Sequence, residues 1–485
     1  MPYVTPGVYS KEEDLSLYVP SLSTTITGLV VEAHSGPHDE VVDITSQTEF
    51  VEKFGLPTTA GGRAAMEYLR EGTQLKVVRV TGSGAVANFA TAADVTPDDT
   101  ITFTDKQVSE RVTKVIISDS PFSGIKLSIE IDGELVEQFD ELADKAAILA
   151  ISSSNVTITD ADPSALDPEP VTLTLASGSL GASPDKDDVI GTVSGDSATG
   201  MQLFGDPLAE DLNLLIAPGF YEAEVFIAGD TVVQSRGDAF YIHDAPQGLS
   251  TSEVIDFHNG EGAYDGLHAA FNSSYSALYW DWHEVYDAYT KSKVWVPSSV
   301  PMAGIIARND NQGAVWTAPA GPNRGKAERS LNLGYSPRQA QIDLLYGNGN
   351  SINPFIKQQR QGIYAWGQRT LQRKPSALDR INVRRMLLYA RKLLATASQY
   401  LVMEPNIEET WATMRSLARQ VLNPIVVGGG LKEFRIICDK STNTDLLQDQ
   451  KRMAAKVLLK PVQVAEVITI NWTTLSSGAE FSEFI

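Results

Sequence analysis

Thr24-Thr25-Ile26-Thr27-Gly28-Leu29-Val30-Val31-Glu32 decides the fold: it is a β-branched, apolar run that reads as a buried strand. His34-Ser35-Gly36-Pro37 breaks it, and Val41-Val42-Asp43-Ile44 is a second short strand. Ser46 then opens a helix, with Glu49 as its capping-box partner and Gly55 as its stop. A second helix runs from Arg63 to Arg70, and Leu75-Lys76-Val77-Val78-Arg79-Val80 is again a strand. Strand, helix and strand in alternation specify an α/β body.

Working outward, the pattern changes between Ala85 and Gly205. Short alternating segments such as Thr100–Phe103, Lys114–Ile117, Ile125–Ile131, Val156–Ile158 and Val171–Leu175 are separated by Asp/Pro/Gly/Ser turns. They predict a small all-β unit, a sandwich, inserted into the α/β body, with one helix near Asp140–Leu149. The α/β pattern resumes at Leu212–Gly219, with a helix from about Tyr221 and strands at Ala239–Ile242 and Ser276–Trp280. Gly304 to Pro322 reads as loop.

The final third reads as mostly helical. Its longest helix is expected from Ser376 to about Met403. At 100° per residue, Val383, Met386, Leu387, Ala390, Leu393, Leu394, Ala397, Tyr400 and Leu401 share one arc of about 140°. Arg380, Arg384, Arg385, Arg391 and Lys392 occupy another of about the same width. Further helices are expected at about Glu408–Val421, stopped by Pro424, and Thr444–Leu459. Gly428-Gly429-Gly430 is a candidate hinge before a strand through Cys438, and Val462 to Trp472 is a closing strand.

The 485 residues imply about three domains. No apolar run is long enough to span a bilayer, and the first residues carry neither the basic nor the apolar region of a signal peptide. The single cysteine, Cys438, excludes an internal disulfide and a Cys-rich zinc cluster. A net charge of −22 argues against nucleic-acid binding by the whole surface. That charge is divided: Ser351–Lys460 holds 19 Lys/Arg against 8 Asp/Glu, while the first 350 residues hold 20 against 50.

Catalytic motifs appear only in part. Gly82-Ser83-Gly84-Ala85-Val86-Ala87 follows a strand like a dinucleotide fingerprint, but the residues after it are too few and too polar for the required helix. Gly321-Pro322-Asn323-Arg324-Gly325-Lys326-Ala327 has the wrong glycine spacing for a P-loop and Ala327 where a hydroxyl must bind Mg²⁺. His283-Glu284-Val285-Tyr286-Asp287 lacks the second histidine of a zinc site. No catalytic, cofactor-binding or metal-binding residue is therefore expected, and no enzyme.

Gly362-Ile363-Tyr364-Ala365-Trp366-Gly367-Gln368-Arg369-Thr370-Leu371 and Ile381-Asn382-Val383-Arg384-Arg385-Met386-Leu387-Leu388-Tyr389 strongly resemble signatures of the contractile tail sheath proteins of bacteriophages and phage-tail-like particles. Val402–Asn406, Ala303–Asp310, Val315–Ala320 and Cys438–Thr444 support the likeness, and Thr5-Pro6-Gly7-Val8-Tyr9 is similar to the family's N-terminal arm. The resemblance covers roughly 1–80 and 205–475.

It implies an N-terminal arm (1–21, with Pro6, Gly7, Val8 and Tyr9) and a subtilisin-like α/β domain without a catalytic triad (22–85 and 205–345). It further implies an outward β-rich insertion (86–204), an inner α+β C-terminal domain (346–461) and a C-terminal strand and arm (462–485). Val462, Val464, Ile468, Ile470 and Trp472 would pair with a neighbouring subunit, and Arg380, Arg384, Arg385, Arg391 and Lys392 would face an acidic tube. The implied partners are further copies in a helical stack of rings, hexameric by the family pattern, an inner tail tube protein, and baseplate and tail terminator proteins. Neither nucleic acid nor membrane insertion is implied. The implied location is the virion tail, with assembly in host cytoplasm, and contraction would need no nucleotide. Two other readings fit the residues: another self-assembling shell or tube protein, or a soluble α/β enzyme carrying a β insertion.

Overall fold

The computed structural model of the protein describes residues 25–466, apart from 94–98, 110, 122, 165, 177, 196, 348 and 360. Its centre is one eight-stranded sheet. The strands are β1 (Ile26–Val31), β2 (Val41–Ile44), β3 (Gln74–Arg79), β4 (Leu214–Ile216), β5 (Phe240–Asp244), β6 (Ser276–Trp280), β7 (Ile352–Gln358) and β8 (Gly362–Ala365), in the order β2-β3-β1-β4-β5-β6-β7-β8. The inner pairs are parallel, and the edge strands β2 and β8 are antiparallel to their neighbours.

Parallel strands need covering layers on both faces, so each strand is apolar throughout and its alternate residues serve two cores. Leu29, Val31, Val77, Leu214, Ile216, Phe240 and Ile242 point to one core. Val30, Val78, Leu215, Tyr241, Leu278 and Trp280 point to the other. Helices α1 (Gln47–Phe54), α2 (Ala60–Tyr68) and α5 (Ser299–Gln312) pack on the first core; α3 (Ala223–Arg236) and α4 (Thr251–Asn259) pack on the second. At α2 the approach is close: a Cβ on Gly61 would lie 2.5 Å from Val31 Cβ.

Ser46 caps α1 as expected, its hydroxyl accepting from the Glu49 amide at 3.2 Å, while the Glu49 carboxylate reaches back to the Thr45 amide at 2.8 Å. Much of Gly304–Pro322, expected as loop, belongs instead to α5. Its first half is apolar and buried while its polar residues gather in the last turns, from Arg308 to Gln312, so no amphipathic period announces it. Pro301 falls in its first turn, where a missing N–H breaks no helical bond. Its N-terminus is capped by a distant residue, Asp244 at the end of β5, which accepts from the Ser299 amide at 2.7 Å.

The chain leaves the body after β3 and returns at β4, and both of these strands flank β1. Between them, among the described residues, lie a two-stranded ribbon (Val193–Ser194 with Ser197–Ala198) and two larger antiparallel sheets. One has four strands (Val171–Thr174, Thr113–Asp119, Ile125–Ile131, Glu134–Leu142) and the other three (Phe89–Ala93, Asp99–Asp105, Val156–Asp160). Ile101 and Phe103 from the second share one core with Val115, Ile117, Leu127 and Ile129 from the first. The expected helix shortens to Lys145–Leu149, because Asp140–Leu142 completes a strand. Arg79, 1% exposed, ties insertion to body by donating to the carbonyls of Ala33 (2.8 Å), Gly36 (2.7 Å) and Val108.

The last third departs most from expectation. Strands β7 and β8 belong to the central sheet, so the boundary expected at 345/346 does not separate a domain there. Helix α6 (Gln339–Tyr346) leads into them. The expected helix from Ser376 is interrupted at Arg380, whose extended backbone separates a 3-10 turn (Ala377–Asp379) from α7 (Ile381–Ser398). Helix α8 (Glu408–Val427) runs through Pro424, which removes one hydrogen bond in the last turn and does not stop it. Only Asp445–Asp449 of the expected helix 444–459 is helical. The residues that follow form β10 (Lys456–Pro461), paired antiparallel with β9 (Leu431–Ile437). Val457 and Leu459 alternate into the core of α7 and α8, and that burial overrides the helical spacing.

Candidate functional site

Arg380, Arg384, Arg385, Arg391 and Lys392 were expected to face an acidic tube; within the chain itself each of them has a partner. Arg385 forms a two-pronged pair with Asp310 of α5 (Nη1 to Oδ1, 3.0 Å); the two side chains are only 5% and 6% exposed, and Thr25 donates its hydroxyl to the same carboxylate. Arg384 is buried with its guanidinium 3.4 Å from the centroid of the Tyr275 ring, and burial lowers its pKa. Lys392 pairs with Asp211 and donates to the Leu212 carbonyl at 3.1 Å. Arg391 is exposed, yet reaches the Tyr275 hydroxyl at 3.2 Å. Arg380 holds Glu466. The helix lies between α8 on its apolar side and the main body on its basic side, with Arg391 left exposed. Sequence alone missed Asp310, Tyr275 and Asp211, because each lies between about 75 and 180 residues from its partner.

The triglycine is a seat for an indole. Trp316 Nε1 donates to the Gly428 carbonyl at 2.8 Å. A Cβ would stand 2.4 Å from this ring at Gly428 and 2.6 Å at Gly430, and Gly429 needs a φ of +78°. The turn closes the C-terminus of α8 through Gly428 and Gly430 amides bonded to the Pro424 and Ile425 carbonyls.

The β9–β10 hairpin is the surface with unused bonding capacity. Phe434, Ile436, Val457 and Leu459 pack it on α7 and α8. Its outer side carries the cross-strand pair Glu433–Lys460 at 2.6 Å and a half-exposed Leu458. Among the described residues it is a two-stranded sheet, so both long edges present unpaired amides and carbonyls. Val462 continues from it by donating to the Gly430 carbonyl at 3.0 Å, and Val464 is 38% exposed. Ile468, Ile470 and Trp472 lie outside the described residues, as do Pro6, Gly7, Val8 and Tyr9.

The partial catalytic motifs take structural places. The fingerprint-like glycines lead into the strand Phe89–Ala93. His283 is fully buried, edge-on to Phe355 and 2.7 Å from the Ser330 hydroxyl, and burial lowers its pKa to about 3. Cys438 is buried. Among the described residues no three metal-binding side chains converge, and no helix is long and apolar enough to cross a membrane.

Residues 373–473 match the family described as the phage tail sheath C-terminal domain. The chain resembles contractile tail sheath proteins. It is 31% identical over 307 residues to the tail sheath protein of Vibrio phage KVP40, covering 59% of this chain and 45% of that protein. Against the tail sheath protein of Enterobacteria phage T4 it is 30% identical over 305 residues, 60% of this chain and 46% of that one. The chain thus spans just under half the length of these sheath relatives. Its fold matches that of a solved sheath complex, the PVC extracellular contractile injection system in its contracted state, with a TM-score of 0.59 over 100% of this chain and 99% of that one. At 17% identity that match establishes the fold alone.

Proposed function

We propose that the chain is a structural sheath subunit. Copies polymerise helically around an inner tail tube, in rings of six by the family pattern, and the lattice contracts to drive the tube through a host envelope without nucleotide hydrolysis. The observation that carries this reading is the end-to-end fold match to a contractile sheath, joined to the sheath-domain match over 373–473. On it, the eight-stranded body is the subtilisin-like domain and 86–204 an outward β-sandwich. Residues 1–21 and 462–485 are arms that add strands to the open edges of a neighbour's β9–β10 hairpin. The partners are further copies, the tube protein, and baseplate and terminator proteins; the location is a virion tail assembled in host cytoplasm.

The paired residues of α7 then hold the inner part to the body as the lattice moves. Tube contact falls to surfaces other than Arg384 and Arg385. Negative-stain microscopy of the purified protein tests the proposal. Regular tubes or polysheaths are expected, and deletion of residues 462–485 should abolish them. A strictly monomeric protein at high concentration would overturn it.

A further inference from the structure

Where the described chain ends, one side chain is held far more firmly than its exposed surroundings require. Glu466 Oε1 accepts from Arg380 Nε at 2.6 Å, Tyr346 Oη at 3.1 Å and Gln368 Nε2 at 3.2 Å, and Oε2 accepts from Arg380 Nη2 at 2.8 Å. Four donors on three residues nearly exhaust one carboxylate. By contrast, residues 463–466 are all exposed.

The donors are positioned without help from Glu466. Tyr346 ends α6, and its ring lies 4.4 Å from the Arg369 guanidinium. Gln368 follows β8, and its carbonyl accepts from the Ile381 amide at 2.9 Å. Arg380 is the extended residue at the start of α7, and its backbone is bridged to Arg369. Burial, and then the Glu466 charge, push the Tyr346 phenol up to about 12, so it remains a donor at any working pH. A preformed seat of this kind recognises a carboxylate in a fixed orientation. Beside it runs a groove of about 610 Å³ walled by Ile342, Trp366, Pro322, Val464 and Ala465.

We propose that Glu466 is a latch: its carboxylate, seated on Arg380, Tyr346 and Gln368, fixes the point at which the C-terminal segment leaves the body. The latch itself depends only on the described residues; its role in assembly rests on the sheath reading. Residues 467–485, anchored there, extend at most about 65 Å from it. Released, the tether would begin at Val462, which stays bonded to Gly430, and four more residues would let its origin roam over about 14 Å. A fixed origin raises the local concentration of the segment at a fixed neighbouring site.

The test is timed thermolysin digestion of the dissociated full-length protein, with products assigned by mass. Cleavage before Val464 should be about tenfold faster in Glu466→Gln than in the parent, because two charge-assisted bonds weaken. It should return toward the parental rate in the swap Arg380→Glu/Glu466→Arg, while the melting temperature of Glu466→Gln stays unchanged. Equal cleavage of Glu466→Gln and parent would overturn the latch, as would a swap that cuts as fast as the single variant. With assembly followed by light scattering, Glu466→Gln should form tubes several-fold more slowly. Failure of the parent to form tubes would sink the sheath reading alone, since the digestion does not depend on it.

Discussion

Arg385 and Asp310 offer the sharpest test of how α7 is held. Their side chains are 5% and 6% exposed, and besides Arg385 the Asp310 carboxylate accepts from the Thr25 hydroxyl. Arg385→Ala therefore leaves an unpaired charge in a largely buried site. Breaking such a pair from one side costs about 3–5 kcal/mol. Replacing both partners with apolar residues of similar size, Arg385→Met with Asp310→Leu, removes the stranded charge and should fall within about 1 kcal/mol of the parent or above it. Equilibrium urea unfolding measures both, with an unchanged slope marking a true stability change. A single substitution costing under about 1 kcal/mol would refute the reasoning. The pair would then behave as a solvated surface contact, and the basic side of α7 would be free to meet a partner.

Three further outcomes follow from the same structure. Arg384→Glu puts a carboxylate against the Tyr275 ring near buried Asp230 and should destabilise by several kcal/mol, whereas exposed Arg391→Glu should change stability by less than about 1 kcal/mol; equal melting shifts would contradict the burial argument. Burial lowers His243 to about 3 and His258 to about 4 from the ordinary 6.5, so the folded state binds fewer protons than the unfolded. Stability is then complete above pH 6.5 and lost as pH falls toward 4 and 3, by about 2 kcal/mol per histidine at pH 5; His243→Phe should flatten that acid limb in melts taken from pH 7 to pH 4. Gly430→Ala drives a methyl into Trp316 and should cost about 1–3 kcal/mol, which calorimetry would register; a neutral result would mean the indole moves aside freely.

What was legible in the sequence depended on how local its cause was. Ser46, Glu49 and Gly55 set the ends of α1 by contacts within a few residues, and the apolar runs of β1 and β3 need only two covered faces. Helix α5 was hidden because its cap, Asp244, sits 55 residues upstream of Ser299 and its polar residues gather at its C-terminal end instead of along one face. The segment Lys456–Pro461 satisfies helical and strand spacing alike, and only the edge offered by Leu431–Ile437 decides between them. The basic arc of α7 was correctly placed on one side of a helix, but a one-dimensional pattern cannot say whether that side meets water or Asp310, Asp211 and Tyr275. Glu466 gave no signal at all, since a lone acid in a polar stretch gains meaning only from the three donors gathered around it.

Arg79 grips nothing but main-chain oxygens: those of Ala33, Gly36 and Val108. Carbonyls are present whatever side chains surround them. The Arg79 contact is therefore indifferent to the insertion's side chains and asks of it one outward carbonyl at the right reach, whereas Val189, Met201 and Phe204, which pack into the body's second core, must stay apolar. The side chain at 108 can then be exchanged for another that fits its buried place without any compensating change in β3.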